Sequence, residues 1–307
     1  MALAAVQAAT FQPVPEVPQS TPLFELPAET VGPLALRQAA ASGDARAQFE
    51  VAAILTEGRV VSEDLEAAAT WYTRSAMQGF APAQYRLGSL YEQGRGVAKD
   101  PEQARLWYQR AADAGNRMSM HNLAAVYAGG DLGKQDFATA AQWFEKAARL
   151  GLADSQFNLG MLYARGLGVP QDFGQSYAWF TRAAGHGDGD AAKARDDVAR
   201  SLDAAAVARL SAEAETWVPE PFDLAANFAP IGTWSADFDP GLPVENREVV
   251  RSVQAALVRL GFDVGTPDGV PGPRTAEAIR AFERATGMSE SGGINPRLLA
   301  VLGSQPV

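Results

Sequence analysis

Four tryptophans, Trp71, Trp107, Trp143 and Trp179, stand 36 residues apart, and the phrases around them keep the same register: TWYTRSAMQG, LWYQRAADAG, QWFEKAARLG and AWFTRAAGHG. The same step carries Asp64 to Asp100, Asp136 and Asp172, and Gly58 to Gly94, Gly130 and Gly166. It also carries Gly79 to Gly115, Gly151 and Gly187. Residues 44–187 are therefore four copies of one unit, and a unit this short hides its apolar face only by stacking on its neighbours.

Each copy reads as two helices. In the second, Ala68, Trp71, Tyr72, Ser75 and Ala76 fall at i, i+3, i+4, i+7 and i+8, a stripe of helical period. Asp64 and its equivalents precede that stripe, where a carboxylate accepts from the unpaired N–H groups of a first turn. Pro101 follows Asp100 at the first helical position, where its missing donor is no loss. Gly79 and its equivalents suit the left-handed residue that closes a helix. In the first helix Leu87, Leu90 and Tyr91 share a face, with Gly88, and Ala52, Ala124 and Gly160 at the same place in the other copies, read as room for close backbone approach.

The unit A-x-Y-x-L-G-x-L-Y-x-x-G-x-G-V-x-x-D-x-x-x-A-x-x-W-Y-x-x-A-A-x-x-G resembles the Sel1-like repeat, a relative of the tetratricopeptide repeat. The likeness covers roughly half the chain and implies a right-handed solenoid of helix pairs with a protein-binding groove. The third copy departs from the pattern: Met120 replaces a Gln, and GGDLGKQD replaces the G-x-G-V loop, which implies a different loop shape within an unbroken stack.

Charge and composition narrow the function classes. The net charge of −10 is concentrated in residues 188–246, which hold 12 acidic and 4 basic side chains, and no segment is strongly basic. Nucleic acid is not an expected partner. The absence of cysteine excludes thiol catalysis, disulfides and cysteine-based zinc sites, and the two histidines, His121 and His186, fall in different repeats. The four tryptophans at one helical phase read as core, the aspartate quartet as caps, and each histidine as structural or solvated. The pairs Glu63/Asp64 and Asp196/Asp197 sit at helix edges with nothing to place a catalytic partner opposite them.

The flanks differ from the array. Residues 1–32 hold a short apolar run and then Pro13, Pro15, Pro18, Pro22 and Pro27, the composition of an extended tether. The run is too short to span a bilayer and lacks the basic residues of a signal peptide. A methionine added to an excised domain would read the same way. Residues 33–43 form a half unit that caps the array, and two helices after Gly187, with Asp190 and Asp203 as N-caps, close its other end, giving an array domain of 33–216. Residues 217–244 combine linker-like Pro and Gly with Trp217, Phe222, Phe228, Trp234 and Phe238. A solvated linker is poor in aromatics, so these rings either dock on the chain's own domains or form a partner-binding motif, for which Trp217, Phe222, Phe228 and Trp234 are the candidates.

From 245 to 304 a second domain is predicted. Val253, Leu257 and Leu260 mark one helix, Ala278, Ile279 and Phe282 a second opened by Thr275, and Leu298, Leu299 and Leu302 a third. The order Q-x-x-L-x-x-L-G-F, then P-D-G-x-x-G-x-x-T-x-x-A-I-x-x-F, then G-M, resembles the peptidoglycan-binding domain of bacterial wall enzymes. Two residues depart from it: Pro271 stands where an aromatic is common, and Glu283 where Gln is usual. The resemblance implies a binding cleft at the P-D-G-x-x-G turn. Asp268, Gly269, Arg274 and Thr275 would meet the ligand or shape the turn, with Val270 and Phe282 supporting its wall.

The fold expected is all-α, a Sel1-like helix-pair solenoid plus a small three-helix domain. No catalytic domain remains once repeats, caps, linker and binding domain are assigned, so the chain is expected to be a non-enzymatic scaffold with no metal and no cofactor. Tether, Sel1-like array, acidic linker and C-terminal wall-binding domain in that order resemble the periplasmic part of the PodJ-type polar organelle development factors of alphaproteobacteria. That resemblance implies a periplasmic place at the cell pole, peptidoglycan as one partner, and signalling or localisation proteins as others. It implies a membrane link only through an N-terminal span outside this chain. A periplasmic adaptor that regulates wall enzymes, with no polar role, is the alternative.

Overall fold

The computed structural model describes residues 23–58, 61–130, 132–230, 234, 244 and 246–303. Most of the expected tether, and Phe238 with nearly all of 231–243, lie outside them. Every regular element among the described residues is a helix. Helix α1 (Leu34–Ala41) precedes the repeats, whose helices are α2 (Ala45–Glu57) and α3 (Leu65–Met77), α4 (Ala81–Gln93) and α5 (Pro101–Asp113), α6 (Arg117–Gly129) and α7 (Phe137–Arg149), then α8 (Ala153–Arg165) and α9 (Phe173–Ala184). Next come α10 (Gly189–Ala199), α11 (Ala204–Glu215) and the single turn α12 (Leu224–Asn227). The C-terminal domain holds α13 (Arg247–Arg259), α14 (Pro273–Thr286) and α15 (Pro296–Gly303).

The chain divides into two compact units. One comprises the residues up to Lys99 together with those from Asp223 on; there α1 to α4 pack in sequence, and α12 touches both α4 and α14. The other is Asp100–Phe222, in which each helix from α5 to α10 packs on the next and α11 lies on α9. Nearest-neighbour stacking of this kind is the solenoid principle.

Helix ends are set by the repeated polar residues. Asp64 accepts from the Ala67 N–H at 3.0 Å, Asp100 from those of Glu102 and Gln103 at 3.0 Å, Asp136 from Thr139 at 3.0 Å and Asp172 from Gln175 at 2.9 Å. Each such cap is worth about 1 kcal/mol. The first helices stop at Gly58, Gly94, Gly130 and Gly166, all left-handed. After α10 the sequence reading is corrected: Asp188, not Asp190, caps this helix, while Asp190 is engaged by Lys193 at 2.8 Å. Asp203 caps α11 as expected.

Buried polar groups tie consecutive helices together. Gln48, Gln84 and Gln156 each donate to a carbonyl eight residues back, at 3.1 Å, across the end of the preceding helix. Met120 holds that place in the third repeat and cannot donate. The third loop also differs as expected. In the second and fourth repeats Gly96 and Gly168 lie so close to Leu65 and Phe137 that a Cβ would fall 2.1 to 2.2 Å from their backbone atoms. The third repeat has Leu132 there, and its loop closes with the Gly133 N–H donating to the Gly130 carbonyl at 2.8 Å.

The aromatic core follows the same register. Trp71, Trp107 and Trp179 are 8, 7 and 6% exposed, whereas Trp143 is only half-buried. Beside each tryptophan ring lies the cation three residues on: Arg74 at 4.3 Å, Arg110 at 4.6 Å, Lys146 at 3.8 Å and Arg182 at 4.4 Å from the centroid. A second row pairs rings edge to face, Phe49 with Tyr72 at 5.5 Å and His121 with Phe144 at 5.4 Å, while Phe157 lies tilted against Phe180 at 5.5 Å. Gly160 makes room for the Phe180 ring, 2.8 Å from where its Cβ would stand, rather than for a backbone. His121 thus replaces a hydrocarbon ring, and its Nδ1 lies 2.9 Å from Ser155 Oγ.

Two measurements check this packing. Trp107→Ala is expected to cost about 3–5 kcal/mol in denaturant unfolding, the range for deleting a large buried aromatic, and the half-buried Trp143 less. Burial pushes the His121 pKa below that of an ordinary imidazole and outweighs the opposing pull of Asp154. A depressed histidine pKa leaves stability intact above the unfolded value and erodes it as pH falls through the folded one. The Tm should therefore drop between about pH 7 and pH 5 through this group, and His121→Phe should flatten that dependence.

Candidate functional site

The C-terminal domain buries Val253 and Leu257 of α13, Ala278, Ile279 and Phe282 of α14, and Leu298, Val301 and Leu302 of α15. One polar side chain enters this apolar setting from the first helix. Gln254 is fully covered; its Nε2 lies 3.2 Å from Asp268 Oδ1, 3.1 Å from the Val270 carbonyl and 3.0 Å from Thr275 Oγ1. Its Oε1 accepts from the Gly269 N–H at 2.8 Å. A single amide thereby fixes the whole P-D-G turn between α13 and α14.

Asp268 is exposed, yet its carboxylate is well held. The Val270 N–H donates to it at 2.8 Å, and this bond, with Gln254 adding to it, holds its pKa below the usual carboxylate range. Arg247 and Arg251 both donate to the Asp268 carbonyl at 3.3 Å. Gly269 has φ +79°, and a Cβ there would fall 2.6 Å from the Arg247 carbonyl oxygen, so only glycine fits the turn. Above this base Val270 is 53% exposed, and Pro271 and Arg274 face solvent. Asp268, Val270 and Arg274 are thus the predicted site residues that share an accessible surface.

Thr275 and Phe282 do not reach that surface. Thr275 is 2% exposed with its hydroxyl turned to Gln254, and Phe282 is 0% exposed in the core. Their part is to hold the turn from below, which removes Thr275 from the groups that can meet a ligand. Glu277, one turn beyond Arg274 on α14, is engaged by Arg280 at 3.0 Å. Sequence reasoning passed over Gln254, Arg247 and Arg251. Gln254 stood in the Q-x-x-L phrase as a signal, whereas nothing in the sequence points the two arginines at a carbonyl.

The departure at Glu283 has a structural account. Its carboxylate is fully buried, accepting from Ser291 N–H and Oγ at 2.6 Å, from Gly292 N–H at 2.9 Å and from Arg297 Nη2 at 3.1 Å. Arg297 is itself 3% exposed in this ion pair. The charge introduced at 283 is therefore matched inside the domain, on the side of α14 that anchors the loop to α15.

Of the aromatic residues of 217–244, those within the described residues pack on their own chain. Phe228 is 0% exposed, edge-on to Phe282 at 5.5 Å, and Trp234 is 8% exposed. Both are corrected from partner-binding candidates to buried residues, because the apolar rings gain more from the chain's own surface than from solvent. Trp217 is half-buried, edge-on to Trp179 at 6.3 Å, and half-buried Phe222 lies under the Arg117 guanidinium at 4.3 Å. Among the described residues no group of three histidine, aspartate or glutamate side chains could hold a metal, and no helix is long and apolar enough to cross a membrane.

Comparison with known families agrees with this geometry. Residues 45–80, 81–116, 117–152 and 153–188 each match the Sel1 repeat, and residues 246–302 match the family described as "Putative peptidoglycan binding domain". Among solved structures, the protective antigen c5321 of uropathogenic Escherichia coli strains, which displays an SLR fold, aligns with a TM-score of 0.53 at 27% identity, over 82% of this chain and 55% of that one. A Sel1 repeat protein from Oxalobacter formigenes is 38% identical over 52% of this chain and 46% of its own, with a TM-score of 0.48. The chain thus spans about half the length of these two solved proteins. No curated protein matches it.

The buried pair supplies the test of this part. Glu283→Gln removes the carboxylate that balances the buried Arg297 charge, and should destabilise the domain by about 3–5 kcal/mol in urea unfolding. Val270→Ala, on the exposed turn, should leave the same transition unmoved within about 0.5 kcal/mol.

Proposed function

With four Sel1 repeats and a C-terminal peptidoglycan-binding domain as the premise, we propose that the chain is a non-enzymatic periplasmic scaffold that holds peptidoglycan at its last domain and protein partners on its repeats. The observation that carries the reading is the turn at 268–271. It is exposed, it offers a carboxylate, an apolar side chain and the Arg274 guanidinium, and it is fixed from beneath by one buried amide. A preformed but open surface of this size gives weak binding, on the order of millimolar, because little of the contact energy survives immobilisation of the ligand. A wall lattice crowded with sites compensates by effective concentration. Both module types are typically non-catalytic, and placement at the cell pole is the finer part of the reading, supported by domain order.

Sedimentation with purified sacculi tests it. The full chain should co-sediment, and the double variant Val270→Ala/Arg274→Ala, which leaves the Gln254 bonds intact, should do so about fivefold less at limiting wall concentration. Equal sedimentation of the two would remove this turn from wall binding. Truncation at 244 is the poorer test, since it strips Phe228 of the Phe282 ring it packs against. A fluorescent fusion of the full protein seen uniformly around the envelope would favour a regulator of wall enzymes over a polar factor.

A further inference from the structure

Two non-helical segments that flank the repeats are seated on them with the same ring and cation arrangement. In the first unit Phe24 stands edge-on to Trp71, with centroids 6.4 Å apart and planes at 78°, and the Arg74 guanidinium lies 4.3 Å from both rings. In the second unit Trp217 stands edge-on to Trp179 at 6.3 Å and 77°, with Arg182 4.4 Å from one ring and 5.2 Å from the other. Trp71 with Arg74 and Trp179 with Arg182 hold the same two positions of their repeats, one helical turn apart on the second helix. The spacing puts a cation beside an indole, and the visiting ring adds a second π face to that cation while presenting its edge to the indole.

The backbone of each visitor is anchored at a matching place too. The N–H groups of Leu23 and Phe24 donate to the Ala41 carbonyl at 2.8 and 3.0 Å, and the Glu220 N–H donates to the Arg149 carbonyl at 2.8 Å. Ala41 ends α1 and Arg149 ends α7, where carbonyls lack partners within the helix, and each lies 30 residues before the tryptophan concerned. Both visitors carry a proline within three residues of the ring, Pro27 and Pro219. Seating also covers the cation: burial pushes the pKa of Arg74 and of Arg182 down.

The third repeat has the same parts with no visiting ring among the described residues. Lys146 Nζ lies 3.8 Å from the Trp143 centroid, the lysine is exposed, and Trp143 is the one repeat tryptophan left half-exposed. The equivalent carbonyl, 30 residues before Trp143, is that of Asp113 at the end of α5. In the second repeat Trp107 is covered, which closes that position. We propose that Trp143, Lys146 and the Asp113 carbonyl form an open station that takes the aromatic ring and adjoining backbone of an extended, proline-flanked peptide segment of a partner protein. A separate partner is the occupant favoured, because the two described segments of this chain that share the geometry are already seated on the first and fourth repeats. The inference rests on the reading of the repeats as the partner-carrying part of a scaffold.

The test uses the full chain and, as probe, a fluorescein-labelled synthetic peptide copying residues 216–222, read by anisotropy. Binding is expected, and Lys146→Ala should weaken it about fivefold, the loss of one cation–π contact at a surface site. Lys146→Arg should restore it, the Arg110→Ala control on the closed second repeat should not move it, and a peptide with alanine in place of its tryptophan should not bind. Lys146 is solvent-exposed, so these variants are expected to fold as the parent does, checked by their unchanged melts. Equal binding by the parent and Lys146→Ala, or no binding of the peptide at millimolar concentration, would overturn the station. So would a concentration-dependent dimer abolished by Lys146→Ala, which would make a second copy the occupant. Sedimentation with sacculi does not involve Lys146, so its outcome separates failure of the scaffold reading from failure of this one.

Discussion

One indole per repeat, buried at a fixed helical phase, is the constraint on which the repeats depend. A tryptophan contributes roughly 200 Å² of surface, more than a short helix pair can cover alone, so the ring must find cover in its surroundings. The aspartate caps, the left-handed glycines and the bridging glutamines all fix where each helix begins and ends. They act indirectly, by bringing each indole to the same place in every turn of the array. Where the local parts change, in the third repeat with Met120 and the altered loop, the indole is also the least covered.

The C-terminal domain solves a different problem. Three short helices cannot order long connections through apolar contact alone, and the domain uses buried polar groups for that purpose. Gln254 holds the loop that enters α14, and Glu283 with Arg297 holds the loop that leaves it. Buried polar networks of this kind add specificity of conformation when every member is satisfied. Here they fix a short turn from beneath while leaving Asp268, Val270 and Arg274 in solvent.

The aromatic segment after the repeats connects these two designs. Its rings are spent on the chain itself, Trp217 and Phe222 on repeat helices and Phe228 on α14. The pair of cation and indole in the repeats gives such segments something to bind, and it is this chemistry that the third repeat presents to solvent.

Much of this molecule was legible without coordinates. The 36-residue register determined the helix pairs, their aspartate caps and the burial of three of the four tryptophans, because local hydrogen bonding and helical period act over a few residues and are written directly in the sequence. The three-helix domain and its glycine turn were legible for the same reason. What only the tertiary structure decided were contacts between residues far apart in sequence. Thr275 looked like a ligand group because its partner Gln254 lies 21 residues away. Phe228 looked available for a partner until Phe282 covered it. Accessibility depends on which distant surfaces meet, and no run of neighbouring residues encodes that.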